Sequence, residues 1–329
     1  MNKTILVTGP DLDPAAQNLV EARGYKTIHT PAYADSNVIS ETLESTGAVG
    51  VVSRMGRLNA DVINKAVNLK VISKHGVGTD NIDLEAAAKR NIPVLVATGA
   101  NAVSVAEHAI SLLLATVKRI RTLDAGLREG RWEKPGFSGV ELDGSTMGLL
   151  GMGSIAQATG RMAKGLGLKL IGYDPFADED VFAKNGVERC DNIEDLFAGS
   201  DILSLHCPLN EQTKNIINAS AIAKMPPGGF IVNTARGGLI DEAALVEAVR
   251  SGHLAGAGLD TFAVEPPAAD HPFFAESNII ITPHIGGVTR QAGARVGVAA
   301  VEGIMDLLEG KSIPPERIAN RKLLNALSQ

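Results

Sequence analysis

The stretch Met147–Asp174, MGLLGMGSIAQATGRMAKGLGLKLIGYD, constrains the fold more than any other part of the chain. The apolar run Met147–Leu150 reads as a strand. It enters Gly151-Met152-Gly153-Ser154-Ile155-Ala156, which opens a helical pattern, and a second apolar run, Leu168–Gly172, stops just before Asp174. Each part has a mechanical use. Gly151 permits a tight turn, and Gly153 lets main chain approach a pyrophosphate at a helix N-terminus, where unpaired N–H groups and the helix dipole favour anions. Asp174, about 20 residues on, stands where a carboxylate accepts both hydroxyls of an adenosine ribose. The third glycine of the usual pattern is Ala156, a tolerated variant. Strand, turn, helix, strand and acid in this order predict a dinucleotide-binding unit.

The rest of the chain is consistent with a parallel α/β protein. Short apolar runs alternate with amphipathic helical patterns. Strands are predicted near Ile5–Val7, Lys26–Ile28, Gly50–Val52, Val71–Ser73 and Val94–Val96. After the dinucleotide unit, others are predicted at Ile202–His206, Phe230–Asn233, Ala257–Asp260 and Ile279–Thr282. From Ala102 to about Leu127 a helical pattern runs without a breaker until Gly126, and a last one covers Arg290–Glu309, with a tail from Ile313 able to return over the first domain. At 329 residues the chain is long enough for two domains. The dinucleotide motif lies mid-chain, so its domain is inserted into the other. Residues 1–100 and 288–329 are assigned to a substrate-binding (catalytic) domain of flavodoxin-like type, and 101–287 to a Rossmann-type domain.

Composition narrows the function. The net charge of −6 argues against nucleic acid or an anionic membrane as the main partner. No apolar run spans a bilayer, and MNKTILVTGP has no secretory pattern. Two cysteines, Cys190 and Cys207, exclude a disulfide framework and suit a reducing cytoplasm. No histidine–carboxylate spacing of metal-ligand type is present, so no metal is expected.

Ligands of such sheets bind beyond the carboxyl ends of the strands, and there the polar chemistry is dense. Arg236 follows an apolar strand within NTARGG and can grip a carboxylate through two parallel N–H bonds. Asp260 ends another strand, with Glu265-Pro266-Pro267 beyond it. His284 lies in TPHIGG after the last strand. Together Glu265 and His284 suggest an imidazole held and charged by a carboxylate, able to exchange a hydroxyl proton while hydride leaves or joins the same carbon. Read alone, each could be a surface arginine, a loop charge or a capping histidine. Cys207, with no base or second thiol nearby in sequence, reads as a small hydrophobe.

These motifs resemble the D-isomer-specific 2-hydroxyacid dehydrogenase family. The resemblance rests on GMGSIA with Asp174, HCPLN (206–210), NTARGGLIDEAAL (233–245), LDTFAVEPP (259–267) and TPHIGG (282–287), and it covers nearly the whole chain. Within the family the chain is similar to phosphoglycerate dehydrogenases, through KHGVGTDNIDLEAA (74–87) and the stretch 132–148. The resemblance implies that Arg236 binds the substrate carboxylate, that His284 is the acid/base and that Glu265 is its partner. It implies that Asp260 holds the nicotinamide amide. Gly151, Gly153, Ser154, Ile155, Asp174, His206, Cys207, Pro208, Thr234, Ala235, Gly286 and Gly287 would line the NAD site. Ser53, Arg54, Lys74 and the Val77-Gly78 main chain match substrate-facing positions. Lys74 stands where the phosphoglycerate enzymes carry arginine, keeping the charge but not the planar fork.

The sequence therefore predicts a cytoplasmic, homodimeric NAD-dependent oxidoreductase acting on a small anionic 2-hydroxy or 2-oxo acid, with 3-phosphoglycerate one candidate. NAD is favoured over NADP because Asp174 would repel a 2′-phosphate and Pro175-Phe176-Ala177 offers no arginine. One alternative is a glyoxylate or hydroxypyruvate reductase. From another class, an NAD(H)-sensing binding protein would share the architecture.

Overall fold

The β-branched and leucine-rich runs Thr4–Thr8, Gly50–Ser53, Ile202–Leu205 and Gly229–Asn233 become strands buried on both faces, as the inside of a parallel sheet requires, whereas Lys26–Thr30 and Glu188–Arg189 lie at sheet edges and are more exposed. The computed structural model describes residues 3–327. The chain divides into two compact units, one formed by the chain up to Asn101 and from Val288 onward, the other by Ala102–Gly287.

In the first unit β1 (Thr4–Thr8), β2 (Lys26–Thr30), β3 (Gly50–Ser53), β4 (Val71–Lys74) and β5 (Val94–Leu95) form one parallel sheet in the order β2-β1-β3-β4-β5. This is the doubly wound order of flavodoxin-like sheets. The helices Pro14–Ala22, Ser36–Thr46, Ala60–Lys65 and Leu84–Lys89 each start on an aspartate or asparagine (Asp13, Asp35, Asn59, Asp83) whose side chain accepts an otherwise unpaired N–H of the first turn. The long helix Arg290–Leu308 packs on helix Pro14–Ala22 and on β4. The tail then closes the β5 edge. Asn320, 1% exposed, accepts the Val94 N–H and donates to the Ile92 carbonyl, while Ala319 N–H bonds Val94 O. The tail also forms a short helix, Arg321–Leu327.

The second unit carries β6 (Thr146–Leu150), β7 (Lys169–Tyr173), β8 (Glu188–Arg189), β9 (Ile202–Leu205), β10 (Gly229–Asn233), β11 (Leu254–Leu259) and β12 (Ile279–Ile281). They lie all parallel in the order β12-β11-β10-β9-β6-β7-β8. The strand order reverses between β6 and β9, so a crevice opens beyond their carboxyl ends.

Several expectations needed correction: the strand expected at Ala257–Asp260 is Leu254–Leu259, and the edge strand Glu188–Arg189 was not expected. The second strand of the dinucleotide unit is Lys169–Tyr173, one residue later at each end than its apolar run. The helix expected from Ala102 to Leu127 is two helices, Ala102–Val117 and Ile120–Arg128, with Arg119 left-handed between them at φ 52°. The first buries Ala106, Ala109, Leu112, Leu113 and Val117 against the sheet. The second buries only Gly126 and leaves Ile120 and Leu127 exposed. The two segments have different surroundings, and no glycine or proline marks the break.

Candidate active site

Every strand of the second unit that flanks the crevice ends in a turn with a distinct job. After β6, Gly151 adopts φ +97°, and a Cβ there would sit 2.9 Å from the Cys207 nitrogen and 2.9 Å from the His206 carbonyl carbon. Only glycine fits, for both reasons. Gly153 precedes helix Ser154–Lys164, whose start has no side-chain cap, and apart from its own chain neighbours no atom lies within 4 Å of where a Gly153 Cβ would be. The helix therefore begins on open space with its first amides, from Ser154 and Ile155 onward, available to an anion. Asp174 stiffens this turn by accepting the N–H groups of Met152 and Phe176, both at 2.9 Å. Each carboxylate oxygen keeps acceptor capacity for a ribose hydroxyl.

After β9, His206 donates its main-chain N–H to Leu150 O, and its Nε2 lies 2.9 Å from Ser204 Oγ. Its Nδ1 is buried without a partner, and burial pushes the imidazole down to about 4, so the ring is neutral. Burial pushes the Cys207 thiol up to about 11, so it is no thiolate. Pro208 follows, its carbonyl accepting Thr213 Oγ1 at 2.6 Å. After β10, the Thr234 hydroxyl is buried without a partner. Polar atoms left unpaired in a wall fit a polar ligand.

Arg236 is placed by a residue that sequence reasoning missed. Asn233, fully buried at the end of β10, accepts the Ala235 N–H (2.9 Å) and donates to the Arg236 carbonyl (2.8 Å). Its own carbonyl accepts the Asp260 N–H. The signal was present: asparagine at a strand end favours this kind of side-chain-closed turn. Gly237 is equally fixed, since a Cβ there would lie 1.9 Å from the Phe262 carbonyl carbon. Arg236 Nη1 donates to Ala235 O at 2.7 Å.

The pairing of Glu265 with His284 is direct. Glu265 Oε2 lies 2.7 Å from His284 Nδ1, and Oε1 accepts the Phe262 N–H at 3.1 Å. Burial opposes ionisation of Glu265, but the His284 and Phe262 hydrogen bonds, with the charge of Arg236, hold the carboxyl below the ordinary range. His284 is left-handed at φ 54°, and its N–H bonds the carbonyls of Asp260 (2.8 Å) and Thr282 (3.0 Å). With Nδ1 on Glu265, Nε2 is the ring atom for proton exchange.

Asp260, 1% exposed, is the most engaged carboxylate of the unit. Oδ1 accepts Thr282 Oγ1 (2.6 Å) and the Ile285 N–H (2.9 Å), and Oδ2 accepts the Gly286 N–H (2.7 Å). His108 Nε2 lies 3.2 Å from Oδ1. Burial again opposes ionisation, and the His108, Thr282, Ile285 and Gly286 hydrogen bonds outweigh it, lowering the pKa. Asp260 thus holds the turn carrying His284, with Gly287 at its end.

In the first unit, Ser53 and Lys74 are register partners at the carboxyl ends of β3 and β4. Asn81, also missed, joins them: Lys74 Nζ donates to its Oδ1 at 2.7 Å, and its Nδ2 donates to Ser53 Oγ and Gly56 O. Arg54 Nη1 reaches the carbonyls of Pro10 and Asp11, and burial lowers its guanidinium pKa. Val77 and Gly78 lie in the loop after β4. Beside them His75 is pushed down to about 4 by burial and by the Arg54 and Lys74 charges.

Residues 110–286 match the family model described as D-isomer specific 2-hydroxyacid dehydrogenase, NAD binding domain. The D-3-phosphoglycerate dehydrogenase of Methanocaldococcus jannaschii is 40% identical over 329 residues, spanning 97% of this chain and 62% of the relative. The chain belongs to the D-isomer specific 2-hydroxyacid dehydrogenase family. The hydroxypyruvate reductase of Thermotoga maritima is 46% identical over 256 residues, which is 77% of this chain and 82% of the reductase. The crystal structure of the TT0316 protein from Thermus thermophilus is similar at a TM-score of 0.85 and 35% identity, covering 94% of this chain and 98% of that one. The chain spans 49% and 62% of the length of two of the phosphoglycerate dehydrogenases it matches. In this dehydrogenase family member, Arg236, Glu265 and His284 all follow strands of the NAD-binding domain.

Proposed function

We propose that this chain is an NAD(H)-dependent oxidoreductase of small D-2-hydroxy and 2-oxo acids. The observation that carries the reading is the 2.7 Å contact of Glu265 with His284 Nδ1, on a turn whose left-handed residue is the histidine itself. His284 Nε2 gives a proton to the C2 oxygen in reduction and takes it back in oxidation, while Glu265 stabilises the charged ring. Arg236 grips the C1 carboxylate and orients C2. NAD(H), when bound, supplies or accepts the hydride.

The residues present fit that cofactor. The Gly151–Ile155 turn offers main-chain amides to a pyrophosphate, Asp174 would accept the ribose hydroxyls, and the Thr234 hydroxyl and His206 Nδ1 are buried polar atoms without a partner just beyond the ends of two adjacent strands. Cys207, Pro208, Ala235, Gly286 and Gly287 complete the lining in this reading. Asp174 favours NAD over NADP.

For substrate, we assign Ser53, Arg54, Lys74 and the Val77-Gly78 main chain to recognition. With 3-phosphoglycerate, Lys74 would meet the phosphate as a single charge. The Lys74–Asn81 bond at 2.7 Å favours a second reading, a hydroxypyruvate or glyoxylate reductase, because part of the lysine's donor capacity is already used. The exposed apolar residues Ile120, Leu127 and Trp132 support a homodimer, for which light scattering is the check. The two unpaired, high-pKa thiols suit a cytoplasmic setting.

Deuterium at C4 of NADH tests the reaction class. The label should appear at C2 of a D-2-hydroxy acid formed from one of a panel of 2-oxo acids. Failure to transfer label to any member would overturn the reading.

A further inference from the structure

The strand β11 reads LAGAGL and is followed by Asp260, and its glycines decide how closely helix Ala102–Val117 can lie on it. A Cβ at Gly256 would be 2.9 Å from Thr116 Cγ2, and one at Gly258 would be 2.9 Å from Leu112 Cβ. Two residues along a strand advance about 6.6 Å on one face, and four residues along a helix about 6 Å on one stripe. The matches therefore continue in step, with Thr116 over Gly256, Leu112 over Gly258, and next His108 over Asp260. Gly286 closes the cluster, since a Cβ there would meet Asp260 Oδ2 at 3.0 Å and His108 Cδ2 at 3.3 Å.

His108 Nε2 lies 2.8 Å from Thr282 Oγ1 and 3.2 Å from Asp260 Oδ1. The Thr282 hydroxyl gives its proton to Asp260 Oδ1 at 2.6 Å, so it accepts from His108, which places a hydrogen on Nε2. Asp260 in turn holds Ile285 and Gly286 by its side chain and His284 by its carbonyl. A non-glycine residue stays left-handed only where its surroundings over-determine it, and these bonds do so for His284.

We propose that His108 is a positioning residue, which through Thr282 and Asp260 locks the 282–286 turn and so aims the His284 imidazole at the reacting carbon. This rests on the oxidoreductase reading above for its catalytic consequence, but not for its structural one.

The test compares His108→Phe, which keeps the ring and loses the donor, with His108→Gln, which restores an N–H near the place of Nε2. In His108→Phe, kcat should fall about 10- to 100-fold, the scale expected of a misaimed group. The KM for the oxo acid and the affinity for NADH should stay within about threefold, and His108→Gln should recover most of kcat. In parallel, amide exchange by NMR should show Ile285 and Gly286 losing protection in the phenylalanine variant and regaining it in the glutamine variant. If His108→Phe does not fold, Thr282→Val breaks the same link from the other side and should give the same pattern. Equal losses in the Phe and Gln variants, or a His108→Phe enzyme within twofold of the parent, would overturn the proposal. If the parent turns over no oxo acid, the functional reading fails, and the amide exchange alone decides the role of His108.

Discussion

His284 Nδ1 lies 2.7 Å from Glu265 Oε2, while the other oxygen of that carboxylate is held by the Phe262 amide. A carboxylate fastened on its far side cannot swing away, so the imidazole has a fixed charged neighbour. Glu265→Gln keeps this shape and removes the charge. Oxidation of the hydroxy acid, in which the ring takes up a proton and gains charge, should then lose about 10- to 100-fold in kcat while NADH affinity is kept. Steady-state rates and a cofactor titration check this, and a rate within twofold of the parent would mean that the two residues are not coupled.

The glycine turn can be tested at the position with no room. Gly151→Ala puts a methyl against the His206–Cys207 peptide and forces a left-handed φ on alanine. It should destabilise the protein by about 1–3 kcal/mol and weaken NADH at least tenfold. Denaturant unfolding and cofactor titration measure the two effects. Gly153→Ala, with open space at Cβ, should leave stability almost unchanged and weaken NADH alone.

Asp174 decides between cofactors. Asp174→Ala removes both the ribose acceptor and the charge that repels a 2′-phosphate. It should weaken NADH and narrow the gap between NADH and NADPH. The turn also loses its bonds to Met152 and Phe176, so some loss of stability should accompany the change. Unchanged discrimination in a fluorescence titration would refute the ribose assignment.

Stability should fall in mild acid for a reason located at His206. Its folded value is depressed to about 4, against about 6.5 when unfolded. Between these values the unfolded chain binds the extra proton, so the contribution is complete above pH 6.5 and lost as pH falls toward 4. It is on the order of 3 kcal/mol. His75, depressed to about 4 in the other unit, behaves alike. His206→Gln should flatten the pH dependence of unfolding, and His206→Gln with an unaltered slope would contradict this account.

The strands and the glycine turn were legible because their causes are local: apolar runs, a positive φ and a charged residue at a strand end. Arg236, Glu265 and His284 stood out for the same reason, as polar groups that a turn does not need. What escaped was set by packing between distant segments. Asn233 and Asn81 look like ordinary loop asparagines until their carbonyl and amide partners are in place. His108 is one polar residue on an apolar helix, and only the step-matched glycines of β11 bring it to Asp260. The break at Arg119 was hidden because it follows from unlike surroundings rather than from a breaker residue.

The central claim is that His284 moves the proton for a hydride transfer that NADH supplies. NADH oxidation by a panel of 2-oxo acids that includes hydroxypyruvate, glyoxylate and pyruvate, in the parent and in His284→Ala, tests it most directly. The parent should turn over at least one member. The variant should lose about 100-fold or more in kcat while binding NADH as tightly as the parent. A His284→Ala enzyme that keeps its rate would contradict the account.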